Sequence, residues 1–362
     1  MNTAPPDRPA GPARGRTGLK LWAARFLSLA LSGAAGLLAL ELGIRQFLPY
    51  YDPRNQIIYR PNDEGMRMGV PSTTSRHGTP KGDFFITLSF NRYGLRDAKD
   101  FAQATTNDIF VLGDSQSLGW GVEETNRFSS LLEKKLARPV FNIAMVDNDL
   151  RGYQRLLDFV QRHGGHVRNL VIGVCMENDL LDYSKVSASQ PAAPPKPARE
   201  SLKRRLALWA QQHSALWICS SYTLEKHELF RRLFERIGLA RNVEQITGIN
   251  QYDSAVLAAS RDELLKLARP FNSVVLIIPS RGLWYGHNIA NEEKVHTGFV
   301  QMLREAGLRV VDMKPVLEQA GDPLHFYYKH DPHWTAEAHA AAAAALLQSL
   351  RAAPEWQFLS SP

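Results

Sequence analysis

Three short stretches of this 362-residue chain hold side chains whose types and spacing suit nucleophilic chemistry. The first is Ile109-Phe110-Val111-Leu112-Gly113-Asp114-Ser115-Gln116-Ser117, a β-branched and apolar run that stops at Gly-Asp-Ser. Such a run reads as a buried strand, and the small residues after it let the backbone turn and present the Ser115 hydroxyl at the strand end. The second is Val171-Ile172-Gly173-Val174-Cys175-Met176-Glu177-Asn178-Asp179, another strand closing on polar residues. A side-chain amide at that edge, Asn178, is suited to donate to a developing oxyanion. The third is Lys329-His330-Asp331-Pro332-His333-Trp334-Thr335. A histidine two residues after an aspartate lets one loop supply both a general base and the carboxylate that orients it. Each stretch alone also reads as a turn or helix cap, through Asp114 or Ser115, through Asn178 and Asp179, and through Asp331-Pro332 or Thr335. Their convergence at one sheet edge is what favours chemistry.

The elements between them are those that would bring the edges together. Short apolar runs predict strands over Phe84–Phe90 (an edge strand), Ile109–Leu112, Val140–Ala144, Leu170–Cys175, Ser273–Ile278 and Arg309–Met313. Helical periodicity covers Arg127–Leu136, Tyr153–His163, Ser260–Ala268, Glu292–Ala306 and Ala336–Leu350. From Ile109 onward, alternation of strand and helix implies right-handed βαβ units and a five-stranded parallel sheet in a three-layer α/β/α sandwich. The expected organisation is a disordered tail (1–20), an anchor (21–44), a lead-in (45–105), the first half of the α/β domain (106–184), an insert (185–250), the second half (251–352) and a tail (353–362). The insert opens on a Pro- and Ala-rich linker, and Ser201–Ala240 reads as one or two helices made basic by Arg204, Arg205, Arg231, Arg232 and Arg236. That basic face is either solvated or a contact for anionic glycan or lipid headgroups.

Hydrophobic residues are 44% and charged residues 22% of the chain, enough for a sizeable core. Arg8, Arg14, Arg16, Lys20 and Arg25 against Asp7 account for more than half of the net charge of +7. The remaining body is close to neutral and offers no concentrated basic face for nucleic acid. The apolar run Leu21–Ile44, with Arg25 and Glu41 able to snorkel at its edges, is long enough to cross a bilayer. No A-x-A cleavage site follows it, which favours an uncleaved anchor over a signal peptide. The basic flank predicts a single-pass protein of the bacterial inner membrane, with a cytoplasmic N-terminus and the remainder extracytoplasmic. Of the two cysteines, Cys175 and Cys219, the first falls in a buried strand and is expected to be a free thiol rather than half of a disulfide.

Other enzyme classes fit poorly. His333 and His339 stand six apart, not at the i, i+4 spacing of a zincin helix. The α/β-hydrolase elbow wants Gly two after the serine, where Ser117 stands. No Gly-rich phosphate loop follows any strand, and neither a metal nor another cofactor is expected.

Gly113-Asp114-Ser115, Asn178-Asp179 and Asp331-x-His333 resemble the first, third and fifth blocks of the SGNH (GDSL) hydrolase superfamily over roughly residues 84–350. Asn91–Arg96 and the Asp-x-His-Trp form resemble its membrane-anchored envelope branch, which includes alginate acetylation proteins. The resemblance implies a flavodoxin-like sandwich and acyl-serine chemistry on esters. It implies Ser115 as nucleophile, His333 as base, Asp331 as its partner, and Asn178 and the Ser115 N–H as oxyanion donors. Asp114, Trp334, Asn91 and Arg96 are candidate supports. Two positions depart from the pattern: Met176 replaces a usual Gly, and the Gly expected just after the second strand is missing. Its donor role would fall to the N–H of Gly152 or of Asp147, and a carboxylate at 147 must point away from an oxyanion to be tolerated.

Three functions follow. The first is an anchored esterase removing O-acyl groups from an extracytoplasmic polysaccharide or other envelope ester. The second is an O-acetyltransferase using the same triad, supplied by a membrane-bound acyl-transfer partner. The third is a catalytically inactive scaffold or glycan-binding protein.

Overall fold

The computed structural model describes residues 16–55, 59–79, 82–183, 202–226 and 254–356. Of the expected tails at 1–20 and 353–362, residues 16–20 already belong to a helix rather than a disordered segment and 353–356 are described; 1–15, 357–362, the linker at 185–200 and the part of the insert from 227 lie outside the described residues.

Helix α1 (Arg16–Phe47) is followed by two short hairpins, β1 (Tyr59–Pro61) with β2 (Arg67–Gly69) and β3 (Thr74–Gly78) with β4 (Phe85–Ser89). The α/β domain begins with β5 (Ile109–Leu112), the single turn α2 (Ser115–Leu118), α3 (Phe128–Leu136), β6 (Val140–Asn142), α4 (Leu150–Arg162) and β7 (Asn169–Cys175). The insert contributes α5 (Leu202–His213) and α6 (Ala215–Lys226). The domain resumes with α7 (Ser254–Ala268), β8 (Asn272–Ile278), α8 (Ile289–Glu305), β9 (Val310–Asp312), α9 (Met313–Gln319) and α10 (Ala336–Arg351).

The five strands pair in parallel in the order β6-β5-β7-β8-β9. Counted along the chain this is 2-1-3-4-5, the flavodoxin-like winding, whose ligand crevice opens at the carboxyl ends of the strands where the order reverses. That reversal falls at β5 and β7, the strands that lead into Ser115 and Asn178. Every residue of β5 is buried, because both faces are covered. Phe110 and Leu112 join the core on the face packed by α4, α7 and α8. Ile109 and Val111 join the opposite core, packed by α3, α9 and α10. The three-layer α/β/α sandwich and five-stranded parallel sheet expected from the sequence are therefore observed.

The strand expected at Phe84–Phe90 is present as β4, which pairs only with β3, and the buried Phe84, Ile86, Leu88 and Phe90 form a separate small core. One strand end requires correction. The chain turns helical immediately after β9, since Asp312 caps α9 by accepting the Lys314 N–H, so Met313 opens a helix rather than ending a strand. Cys175 is buried and both cysteines are free. Within α1, Leu21–Phe47 is long and apolar enough to cross a membrane, and none of its most apolar window is buried against the rest of the chain.

Candidate active site

Ser115 is the first residue of α2, whose N-cap is Asp114. The Asp114 carboxylate accepts the Gln116 N–H at 2.9 Å and the Asn178 Nδ2 at 2.9 Å. One carboxylate thus caps the serine turn and orients the amide at the end of β7. Burial pushes the Asp114 carboxyl up, and the hydrogen bonds from Asn178 and the turn only partly oppose it. The turn is tight because Ser117 Oγ occupies the space above Gly113 and Gly173; a Cβ on either glycine would lie 2.2 Å or less from it.

His333 Nε2 lies 2.8 Å from Ser115 Oγ, and its Nδ1 lies 2.5 Å from Asp331 Oδ1. The same Asp331 oxygen accepts the His333 backbone N–H at 3.0 Å. Burial raises the Asp331 carboxyl, but the His333 ring, its charge and its N–H, with Trp120 beside them, outweigh that and hold it below the usual carboxylate range. Three stretches far apart in sequence thus meet at one edge: Ser115 and Asn178 joined through Asp114, and the Asp331–His333 loop reaching Ser115. That loop is not the N-terminus of the following helix. Helix α10 starts at Ala336 behind Thr335, which leaves Asp331 free to serve the histidine.

The loop is clamped from several sides. Tyr327 bridges to Trp334, and the Tyr328 N–H donates to the His333 carbonyl at 3.1 Å. Gln116 Nε2 donates to the Pro332 carbonyl and its Oε1 accepts the Trp334 N–H, each at 3.1 Å. The Trp120 ring packs against His333 with centroids 5.7 Å apart, and the buried His77 of β3 packs against Trp120 at 4.6 Å. The β3–β4 hairpin therefore backs the ring that packs against His333.

The two oxyanion candidates separate cleanly. Gly152 N–H donates at 2.8 Å to Asp149, the N-cap of α4, so it is committed to a helix cap. Gly152 could donate to an oxyanion only by giving up that cap. Asp147 has φ +56°, the left-handed region that a glycine would fill without strain. Its carboxylate pairs with Arg67 of β2, and both side chains are more than half exposed. Met145 N–H donates to the Gly113 carbonyl at 3.1 Å, so this loop runs beside the serine turn.

Asn91 and Arg96 have structural duties. Asn91 Oδ1 accepts the N–H groups of Tyr93 and Leu95 and shapes their turn. The fully buried Arg96 donates to the carbonyls of Leu118, Gly119, Val122 and Thr87, stapling the segment after α2 to β4. Burial, with the neighbouring Arg127, pulls its protonation down to about 9. Trp334 is fully buried and contributes its backbone N–H to the Gln116 clamp. Sequence reasoning missed Gln116, Arg67, Trp120 and His77. Only the position of Gln116 directly after Ser115 carried a signal.

Residues 234–361 match the family model described as SGNH hydrolase-like domain, acetyltransferase AlgX. Comparison with curated proteins gives no match. Among solved structures, similar ones include a putative lipolytic protein of the G-D-S-L family from Desulfitobacterium hafniense DCB-2, at 11% identity and TM-score 0.37, covering 67% of this chain and 99% of that one. The lipase/acylhydrolase from Enterococcus faecalis aligns at 14% identity and TM-score 0.39, covering 68% and 95%. A catalytic mutant of Axe2, an acetylxylan esterase from Geobacillus stearothermophilus, aligns at 11% identity and TM-score 0.35, covering 67% and 93%.

The sheet winding and the three motif blocks are those expected from the sequence, and the match over residues 234–361 is a similarity to an SGNH hydrolase-like acetyltransferase domain that takes in the Asp331–His333 loop.

Proposed function

We propose that this protein forms and resolves an acyl ester on Ser115, removing O-acyl groups from an extracytoplasmic polysaccharide. The observation that carries this reading is the continuous chain Ser115 Oγ···Nε2 His333 Nδ1···Asp331, at 2.8 Å and 2.5 Å. In the reaction, His333 Nε2 takes the hydroxyl proton as Ser115 Oγ attacks the ester carbonyl carbon. The carbonyl π pair moves to oxygen, and that oxyanion is met by the Ser115 N–H, the Asn178 amide and the Asp147 N–H. Collapse expels the sugar oxygen, which leaves with the proton from His333. Water then attacks the acyl-serine with His333 again as base, releasing the carboxylic acid. The Arg67 partner of Asp147 meets the electrostatic objection to that donor by neutralising its carboxylate.

A second reading has its own support. The match of residues 234–361 to an acetyltransferase domain favours a sugar hydroxyl over water as the acceptor for the acyl-serine. A membrane-bound partner would then deliver the acyl group. Helix α1 serves both readings as a single-pass inner-membrane anchor with its basic end in the cytoplasm. The purified full chain in detergent, given an aryl acetate with and without acceptor glycan, separates them. Acetate release unaffected by glycan supports hydrolysis; acetyl appearing on the glycan at the expense of acetate supports transfer. Turnover equal in Ser115→Ala contradicts both.

A further inference from the structure

Glu41 is the one acidic residue within the apolar stretch of α1, and its duty lies outside the helix. Its carboxylate accepts the Ala215 N–H at 2.9 Å, the Leu216 N–H at 2.8 Å and the Ser214 hydroxyl at 2.9 Å, capping the start of α6. One turn further on, Arg45 donates to the His213 carbonyl at 2.7 Å, closing the end of α5, and is itself tied to Glu41 at 2.7 Å and Asp52 at 3.0 Å. The anchor helix therefore holds the α5–α6 junction by both helix termini.

The height of that clasp is set by the anchor. Leu21–Phe47 spans 27 residues, which at about 1.5 Å each is roughly 40 Å, longer than a hydrocarbon core of about 30 Å. Entered at Leu21, the core is crossed by about the level of Glu41, so the clasp sits where acyl chains give way to headgroups. Helix α5, which ends at that clasp, presents Leu202, Leu206 and Trp209, spaced i, i+4, i+7 on one stripe and 70%, 58% and 60% exposed. Trp217 of α6 adds a further 47% exposed ring. Tryptophan and leucine facing outward beside a membrane span match the interfacial boundary, where an indole buries its ring and keeps its N–H wet.

We propose that α5 and α6 form a foot lying in the outer face of the bilayer that α1 crosses, with Leu202, Leu206, Trp209 and Trp217 at the headgroup–acyl boundary. The inference rests on the reading of α1 as an anchor, and it gives the insert a purpose: it fixes the height and tilt of the sandwich above the membrane.

The test uses the full chain, one copy per lipid nanodisc, with lipids brominated in the upper acyl chain or unbrominated. Subtracting the emission of a Trp209→Phe/Trp217→Phe double variant isolates those two indoles. The expected result is emission quenched at least twofold by bromolipid and little affected by aqueous acrylamide. Quenching by acrylamide but not by bromolipid overturns the foot. Protection from acrylamide that appears only when a disc holds two copies, or a partner protein, overturns it in favour of a protein contact. A chain that fails to enter discs overturns the anchor reading and the foot with it, whereas entry with unquenched indoles overturns the foot alone.

Discussion

Gln116 Oε1 accepts the N–H of Trp334 at 3.1 Å while its Nε2 donates to the carbonyl of Pro332 at 3.1 Å. The residue after the proposed nucleophile thus grips the loop of the proposed base on both sides of His333. The grip sets the Ser115–His333 separation without Gln116 touching either reacting atom, which makes it a positioning residue.

Gln116→Leu keeps the volume but leaves two backbone groups unpaired, each costing about 1–3 kcal/mol where buried. We expect kcat to fall about 10- to 100-fold with KM little changed, because the loop holding the base loosens while the ester-binding surface stays. A rise in KM at constant kcat in steady-state assays would contradict the positioning role.

Asp331→Asn preserves the shape of the loop but presents His333 Nδ1 with an amide, allowing the wrong tautomer at Nε2. The expected loss in kcat is about 10⁴-fold. Since Asp331 is held below the usual carboxylate range, the wild-type acid limb of kcat/KM should not be set by its protonation near pH 4. Moving that limb by replacing Asp331 with Glu would argue otherwise.

The Arg67–Asp147 pair gives a prediction with a sign. Arg67→Ala strips the counter-charge from a carboxylate beside the proposed oxyanion donor, and should slow turnover about tenfold. Asp147→Gly keeps the N–H, suits φ +56°, and should retain wild-type activity or exceed it. The double variant should recover to the level of Asp147→Gly. Additive losses in that double-mutant cycle would detach Asp147 from the oxyanion.

His339 reports on stability. Burial, reinforced by the charges of Arg127, Arg96 and His333, lowers its protonation to about 3. The unfolded chain therefore takes up a proton near pH 6.5 that the folded chain refuses. This site costs nothing above that pH and progressively destabilises the fold as pH falls toward 3, reaching on the order of 3 kcal/mol at pH 4. His339→Phe removes the penalty, so its denaturation midpoint should fall less steeply than wild type between pH 6.5 and 4. Parallel pH curves would refute the assignment.

How much of this was legible in the sequence follows from what each residue depends on. The central strands β5 and β7, buried along their whole length, declare themselves by their apolar runs, and β5 lies at the expected residues. Ser115 and Asn178 declare themselves because polar residues at a strand's carboxyl end are conspicuous against those runs, and the Asp331–His333 loop because its Asp-x-His spacing stands just before an Ala-rich helix. The hairpins of the lead-in were hidden: β1 and β2 have three residues each, too few for an alternation to register. Arg67, Trp120 and His77 act only through contacts made when those hairpins fold against the sandwich, and no spacing along the chain encodes them. Glu41 read as a tolerated edge charge because its partners, at 214–216, are more than 170 positions away.

The central claim is that Ser115 is a nucleophile activated by His333. Treatment of the full-length protein with a fluorophosphonate probe, followed by peptide mass analysis, tests it most directly. The account predicts a single covalent adduct on Ser115, abolished in Ser115→Ala and slowed at least 10³-fold in His333→Ala. An unlabelled wild-type protein, or labelling at the same rate in His333→Ala, would contradict it.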